Sequence, residues 1–207
     1  MAKYADLPLK KYLCDLSART PAPGGGSAAA LAASAGIALL EMVANYTLGK
    51  RGYEKYDGRI REVLFKLRPA SVKAQAAIDE DVKIYGLISS ASMAASSVSS
   101  SSAKAKKRMQ KLLEKSFLLQ TEIMNTCAAA VAIAAILAKI GNKNLQSDVY
   151  CGLSMLRAGI ESSKFNIDIN LKYMDDSSLK RKNSAGYSRI FESARRRIDR
   201  IMEKHDC

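Results

Sequence analysis

One histidine, His205, stands in the whole chain, and tryptophan is missing altogether. A lone histidine near the end of the chain leaves little for a zinc site to use. The four cysteines, Cys14, Cys127, Cys151 and Cys207, lie far apart with no CxxC pair. No metal-ligand set is therefore expected, and a disulfide framework is out of place in a chain of this size. Free thiols in a reducing cytosol are the simpler reading, which makes cytoplasmic localisation the expectation. The N-terminal segment MAKYADLPLKKYL has no uninterrupted apolar run, so no signal peptide is expected. Two segments resemble membrane spans, but Ala28–Ala44 carries Glu41 and Cys127–Ile140 is short for a span. Buried core helices account for both, and no membrane partner is expected. Strand signals are also nearly absent, because no alternating apolar run is bounded by Asn-Gly or Asp-Gly.

Aromatic residues make up only 6% of the chain while hydrophobic residues make up 48%. A core of Ala, Leu, Ile, Val and Met follows, as helical bundles build it, and 207 residues are enough for one domain over 1–207. Apolar positions recur at helical spacing, for example Leu64, Leu67, Ala74, Ile78, Val82 and Tyr85, with Pro69 as a potential kink. This periodicity predicts an all-α, up-and-down bundle of about six helices, at roughly 5–18, 27–48, 57–89, 103–140, 144–173 and 184–204. The serine-rich stretch Ser89–Ser102 has weak helix propensity and little to bury, and reads as a loop or frayed turn. The second and fourth helices carry small side chains on every face, at Ala28–Ala38 and Ala128–Ala135. Helices of that kind let neighbouring backbones approach closely, and dimerisation through helix packing is expected. The net charge of +13 draws acidic partners. Its main blocks, Lys104–Lys115 and Lys180–Arg200, lack the interleaved aromatics of a single-strand binder, so they read as solvated helix faces and nucleic acid is not the expected partner.

The stretch Thr20–Ser27 reads T-P-A-P-G-G-G-S and runs into the Ala-rich second helix. Pro21 and Pro23 hold the approach extended, Gly24, Gly25 and Gly26 permit positive φ and close backbone approach, and Ser27 is placed to cap the helix. Exposed amides at a helix start offer donors and partial positive charge to an acceptor, although capping alone explains Gly and Ser there. The surroundings are more specific. The segment "TPAPGGGSAAALAASAGIALLEMVANYTLGKRGY" resembles the start of the cyclodeaminase/cyclohydrolase family of folate enzymes, with Met42, Val43, Ala44, Asn45, Thr47, Gly49, Lys50 and Tyr53 matching. "AAIDEDVKIYG" resembles the family's D-E-D-A-x-A-F segment through Asp79, Glu80 and Asp81. "IGNKNLQSDVYCGLSMLRAGIESSKFNIDINL" resembles its G-N-x-N-x-x-S-D segment and the N-V-x-I-N-L that follows, through Gly141, Asn142, Asn144, Ser147, Asp148, Ala158, Asn166 and Asn170. The likeness covers about Leu7–Leu171, departing at Ser89–Ser102, where the family carries a Y-K-L-P-K-like segment, and at Val82 and Tyr85, which replace Ala and Phe.

The resemblance implies chemistry on a one-carbon unit between N5 and N10 of tetrahydrofolate. A cyclohydrolase adds water to 5,10-methenyltetrahydrofolate and opens the adduct to 10-formyltetrahydrofolate. A cyclodeaminase lets N10 attack a formimino carbon and expels ammonia. Either needs a general acid and base and neither needs a metal or redox cofactor, so the folate is substrate and no cofactor is expected. Carboxylates of raised pKa are the natural proton carriers, and Asp81 and Asp148 are the catalytic candidates. On its own Asp148 also reads as a favourable first-turn charge, and Asp79–Asp81 as an acidic face. The implied substrate-binding set is Gly24, Gly25, Gly26 and Ser27 in the loop, with Asn45, Asn142 and Asn144 at a pterin edge. The last two also suit plain turn formation. Lys50 would take the glutamate carboxylates or a ring carbonyl; a polyglutamate tail suits the net charge. The fused cyclodeaminases carry a transferase domain for which 207 residues leave no room, which favours the cyclohydrolase. The alternatives are a formiminotetrahydrofolate cyclodeaminase and an inactive basic helical binding protein.

Overall fold

A computed structural model describes residues 3–97, 103–175 and 177–203, with side chains of 95–97 and 177–185 excepted. Residues 98–102 of the serine-rich stretch, together with His205 and Cys207, lie outside the described residues. Six α-helices are described: α1 (Leu9–Leu16), α2 (Gly25–Thr47), α3 (Asp57–Ser97), α4 (Ala103–Ile140), α5 (Gln146–Tyr173) and α6 (Ser177–Met202). Short 3₁₀ turns precede α1, α3 and α5. Among the described residues there is no strand, and the expected all-α bundle is the observed fold.

The central element is α2. It packs against α5, α3 and α4, and α6 lies against α4 and α5. Small residues make this possible. A Cβ on Gly36 would stand 2.9 Å from the Gly152 carbonyl of α5, so the two backbones touch only because neither position has a side chain. Around them Ile37, Leu40, Leu67, Met124, Leu137, Leu153 and Leu156 are completely buried. Gly36 meets Gly152 and Gly159 meets Ala29, so α2 and α5 run antiparallel. Asp81 at Gln120 and Ser116 at Asn170 likewise set α4 against α3 and α5. α6 is fastened by an Arg157–Asp199 ion pair and by the Tyr187 hydroxyl, which donates to Asp168 at 2.8 Å.

Two expectations need correction. The serine-rich stretch is not a loop from Ser89, because α3 continues through Ser97. Propensity is a weak prior, and each residue added to an existing helix gains a backbone bond at little entropic cost. The Ser90 hydroxyl also bonds the Gly86 carbonyl one turn back, at 2.9 Å. The link before the last helix is shorter than expected too, since α6 begins at Ser177 rather than near 184. Pro69 does not end α3. The amide it lacks would have met the Phe65 carbonyl, and both residues are exposed, so water can serve that carbonyl. The basic residues Lys104, Lys106, Lys107, Arg108, Arg195, Arg196 and Arg197 are exposed, as expected of solvated faces.

Candidate active site

The acidic triplet of α3 divides into three roles. Asp79 accepts the backbone amides of Tyr4 (2.5 Å) and Ala5 (3.3 Å), tying down the N-terminal segment. Glu80 is exposed and pairs with Lys83 at 3.7 Å. Asp81 points inward and is buried, with 8% relative exposure. Its Oδ1 accepts Gln120 Nε2 at 2.8 Å, and its carboxylate also accepts the backbone N–H of Ser27. Burial raises the Asp81 pKa to about 6, against the smaller lowering pull of those two donors. A carboxyl poised there can hold or release a proton near neutral pH.

The glycine loop meets this carboxyl in a way that corrects the expected cap. The N-cap of α2 is Gly24, which has no side chain to offer, and Ser27 does not cap the helix. The Ser27 hydroxyl instead lies 3.1 Å from the Tyr12 hydroxyl inside the core. Asp81, reaching across from α3, supplies the acceptor that a capping side chain would have given. None of Gly24, Gly25 and Gly26 has positive φ; that conformation occurs at Gly49 and Gly52. Gly26 is needed for close approach, since a Cβ there would fall 2.1 Å from Asp81 Oδ1 and 2.3 Å from Gln120 Nε2. A Cβ on Gly25 would make only ordinary contact, 3.7 Å from Asn166. The amides of Gly25 and Gly26 have no acceptor among the described residues.

Two neighbours of Asp81 were not singled out from the sequence, its partner Gln120 and the Ser27 partner Tyr12. Gln120 is fully buried, and its Oε1 has no hydrogen-bond partner. Tyr12 is the buried residue of α1, its ring edge-on to Tyr4 at 5.5 Å, and burial raises its phenol pKa. The available signal was a polar residue on a core stripe. Gln120 sits among Leu113, Phe117, Met124 and Cys127 at helical spacing, all buried.

The other candidates gather at the far end of α2. Thr47 closes that helix, donating to Val43 at 2.7 Å and accepting the Asn142 amide at 2.9 Å. Asn142 is buried, and its Oδ1 accepts the Asn144 amide at 3.1 Å, capping the 3₁₀ turn before α5. That is the turn-forming role, and Asn144 itself is exposed. Lys50 is half-buried with Nζ 6.0 Å from the Tyr53 ring, whose hydroxyl accepts the Lys143 amide at 3.0 Å. Asn45 is exposed on α2, and Asp148 is half-buried in the first turn of α5.

One chain does not bring the two groups together. Gly26 and Thr47 are separated by most of α2, about 30 Å at 1.5 Å per residue. Asp148 lies one turn before Gly152, which packs on Gly36, Leu39 and Leu40 of α2, so it stands about 20 Å along α2 from Gly26. Proton transfer needs hydrogen-bond reach, so Asp81 and Asp148 of one chain cannot serve the same atom. Clefts of 260 and 610 Å³ lined by Lys73, Glu122 and Thr126, and one of 360 Å³ lined by Lys66 and Ile133, run between α3 and α4 and contain none of the candidates. No three His, Cys, Asp or Glu side chains among the described residues are grouped to hold a metal ion.

A family model described as formiminotransferase-cyclodeaminase matches residues 8–188. The formimidoyltransferase-cyclodeaminase of Gallus gallus is 32% identical over 194 residues, covering 91% of this chain but 35% of the relative. The chain thus spans about a third of that protein's length. The methenyltetrahydrofolate cyclohydrolase of Methylorubrum extorquens is 28% identical over 168 residues, 81% of each chain. The crystal structure of a formiminotetrahydrofolate cyclodeaminase from Thermotoga maritima superposes with a TM-score of 0.83 at 25% identity, covering 98% of both chains.

Proposed function

The chain belongs to the formiminotransferase-cyclodeaminase family, and from that premise we propose that it is a methenyltetrahydrofolate cyclohydrolase, hydrolysing 5,10-methenyltetrahydrofolate to 10-formyltetrahydrofolate. The observation that carries the acid–base part is Asp81, a buried carboxyl with a pKa of about 6 at the donor-rich start of α2. Ionised, it takes a proton from water as the water oxygen bonds to the methenyl carbon. The adduct then opens by cleavage of the carbon–N5 bond. The proton passes to N5 as that bond breaks, and the adduct's hydroxyl proton is released to solvent as its oxygen becomes the carbonyl of the formyl group on N10.

The free amides of Gly25 and Gly26 offer donors to the folate, Asn45 suits a pterin edge, and Lys50 suits the glutamate carboxylates. Asp148, out of reach of Asp81 within one chain, would be the second proton carrier in this reading from the second copy of the expected homodimer. No cofactor takes part, and the folate arrives as a substrate with or without a polyglutamate tail.

The cyclohydrolase relative supports the choice of reaction because it matches 81% of each chain. The cyclodeaminase reading is favoured by a separate observation, the 98% mutual coverage of the Thermotoga structure. There the same carboxyl would give a proton to the departing ammonia. The test is a direct assay of the purified protein with both substrates. Loss of the methenyl chromophore without ammonia release supports the proposal. Ammonia release from the formimino substrate, with no methenyl hydrolysis above the uncatalysed rate, assigns the cyclodeaminase.

A further inference from the structure

Among the described residues, two buried side-chain atoms have no hydrogen-bond partner in the protein, Gln120 Oε1 and Ser163 Oγ, and both residues are fully buried. They lie together. α4 and α5 run antiparallel, joined at one rung by Asn170 Nδ2 donating to Ser116 Oγ at 2.9 Å and at another by Gly159 against Cys127. Gln120 and Ser163 both fall between those rungs, about 4.5 Å apart along the seam at 1.5 Å per residue. They also flank the same turn of α2. A Cβ on Gly26 would stand 2.3 Å from Gln120 Nε2, while on either side of Ser163 Gly159 meets Ala29 and Asn166 meets Gly25.

We propose that one bound water joins Gln120 Oε1 to Ser163 Oγ, and that this chain is a hydrogen-bond relay serving Asp81 in both its ionised and its protonated state. The use of the relay in turnover rests on the folate reading of Asp81; the arrangement itself does not depend on the substrate.

Ile123, Met124, Ile160 and Ile167 bury this part of the seam away from bulk water. An unmade hydrogen bond there costs more than holding a water, and internal waters bridge groups of this kind. Two bonds of about 2.8 Å span the offset between the two oxygens. Both members of the chain beyond Gln120 donate or accept as required. While Asp81 is ionised it accepts Gln120 Nε2 at 2.8 Å, Oε1 accepts from the water, and the Ser163 hydroxyl donates to that water. Once Asp81 is protonated, a half-turn of the amide presents Oε1 to the carboxyl proton. Nε2 then donates to the water, which donates to Ser163 Oγ. Every hydrogen bond reverses, and no proton leaves its atom within the relay. Without it, protonation would set the carboxyl O–H against an N–H and strand a buried donor. Gly26 gives the amide its clearance, having no Cβ. The charged groups around the seam are engaged elsewhere: Asp79 with Tyr4, Glu80 with Lys83, Glu122 with Lys73, and Lys164 with Asp168. Tyr12 of α1 faces Asp81 beyond Ser27, and burial keeps its phenol protonated.

The test follows the Asp81 carboxyl carbon by NMR across about pH 4 to 9 in protein labelled with carbon-13 aspartate, the resonance being assigned by its loss in Asp81→Asn. Gln120→Met keeps the shape and removes both polar atoms, and is expected to raise the Asp81 midpoint by about 1–2 pH units. Ser163→Ala does not touch Asp81, yet is expected to raise the midpoint by a smaller step, because a shortened chain polarises the amide less. In the double variant the midpoint is expected to equal that of Gln120→Met, since the serine reaches Asp81 through the glutamine. A midpoint unmoved by Ser163→Ala overturns the relay, and so does a double variant in which the two shifts add. Should Gln120→Met not fold, the Ser163→Ala titration still decides. A wild-type crystal structure is expected to show one ordered water within about 2.7–3.2 Å of both side chains. Direct contact between them, or no ordered water, overturns the bridge. None of these readouts uses a folate, so a failed relay and a failed folate reading are told apart.

Discussion

Replacing Asp81 by asparagine should make this protein more stable and less active at the same time. The carboxyl has a pKa of about 6 in the folded chain against an ordinary 3.8, so the folded state binds the proton more tightly than the unfolded one. Below about pH 4 both states carry it and nothing is lost. As pH rises from about 4 to 6 the unfolded chain ionises first, and the native state loses about 1.4 kcal/mol per pH unit. Above pH 6 the loss levels off at roughly 3 kcal/mol. Asp81→Asn does not ionise and escapes this cost. The new amide can also donate to Gln120 Oε1, now without a partner, if the glutamine amide rotates, while its oxygen still accepts the Ser27 amide. Urea unfolding from pH 4 to 8 should show the two proteins converging at the acid end. At pH 7.5 the variant should unfold later by up to roughly 3 kcal/mol, or about 6–12 °C in thermal midpoint. Turnover should fall by at least about 100-fold. A variant that is less stable than wild type at pH 7.5 refutes the reasoning, because it would mean that the hydrogen bonds to the ionised group outweigh the cost of burying its charge.

Other outcomes follow from the same geometry. The acid limb of kcat/KM should break near pH 6, with activity lost as pH falls and Asp81 takes up its proton; a profile flat from pH 5 to 8 would exclude Asp81 as the base. Gly26→Ala, whose Cβ would lie 2.1 Å from Asp81 Oδ1, should cost about 1–3 kcal/mol and most of the activity. Gly25→Ala, with its nearest neighbour at 3.7 Å, should leave urea stability within about 1 kcal/mol or raise it; equal effects at the two positions would show that the loop, not the carboxyl, sets the requirement. Asp148→Asn should reduce turnover at least about 100-fold while shifting stability by only about 0.3–1 kcal/mol. Single-turnover rates and melting curves on one preparation separate that outcome from a helix-dipole role.

Periodicity made the bundle legible because helical burial leaves a regular trace. α4 carries its apolar stripe from Met109 to Leu137 and ends one turn beyond it, at Ile140. The end of α3 was not legible, because serines that bury nothing leave no stripe, whereas backbone bonding alone extends the helix past them. Asp81 was reachable from its motif, but the D-E-D triplet does not say which acid turns inward. That depends on Gly26 and Gln120, one on each of two other helices. Gln120 left one faint mark, an amide at a core position, which reads as a flaw until its partner is known. The separation of Asp81 from Asp148 is a property of the length of α2, and local motifs carry no information about it.

The start of α2 is completed by a side chain 54 residues further on, since Ser27 donates its amide to Asp81. A helix end held in this way feels the charge of its holder. While Asp81 is ionised it grips the amide and neutralises the positive end of the helix; once it carries a proton, both attractions weaken. In the proposed reaction, every proton that Asp81 took up would therefore slacken the glycine loop, and every proton it returned would tighten it. Hydrogen exchange at the Ser27 amide should quicken as pH falls through 6, after correction for intrinsic rates, so that one backbone hydrogen keeps time with the chemistry of a group on another helix.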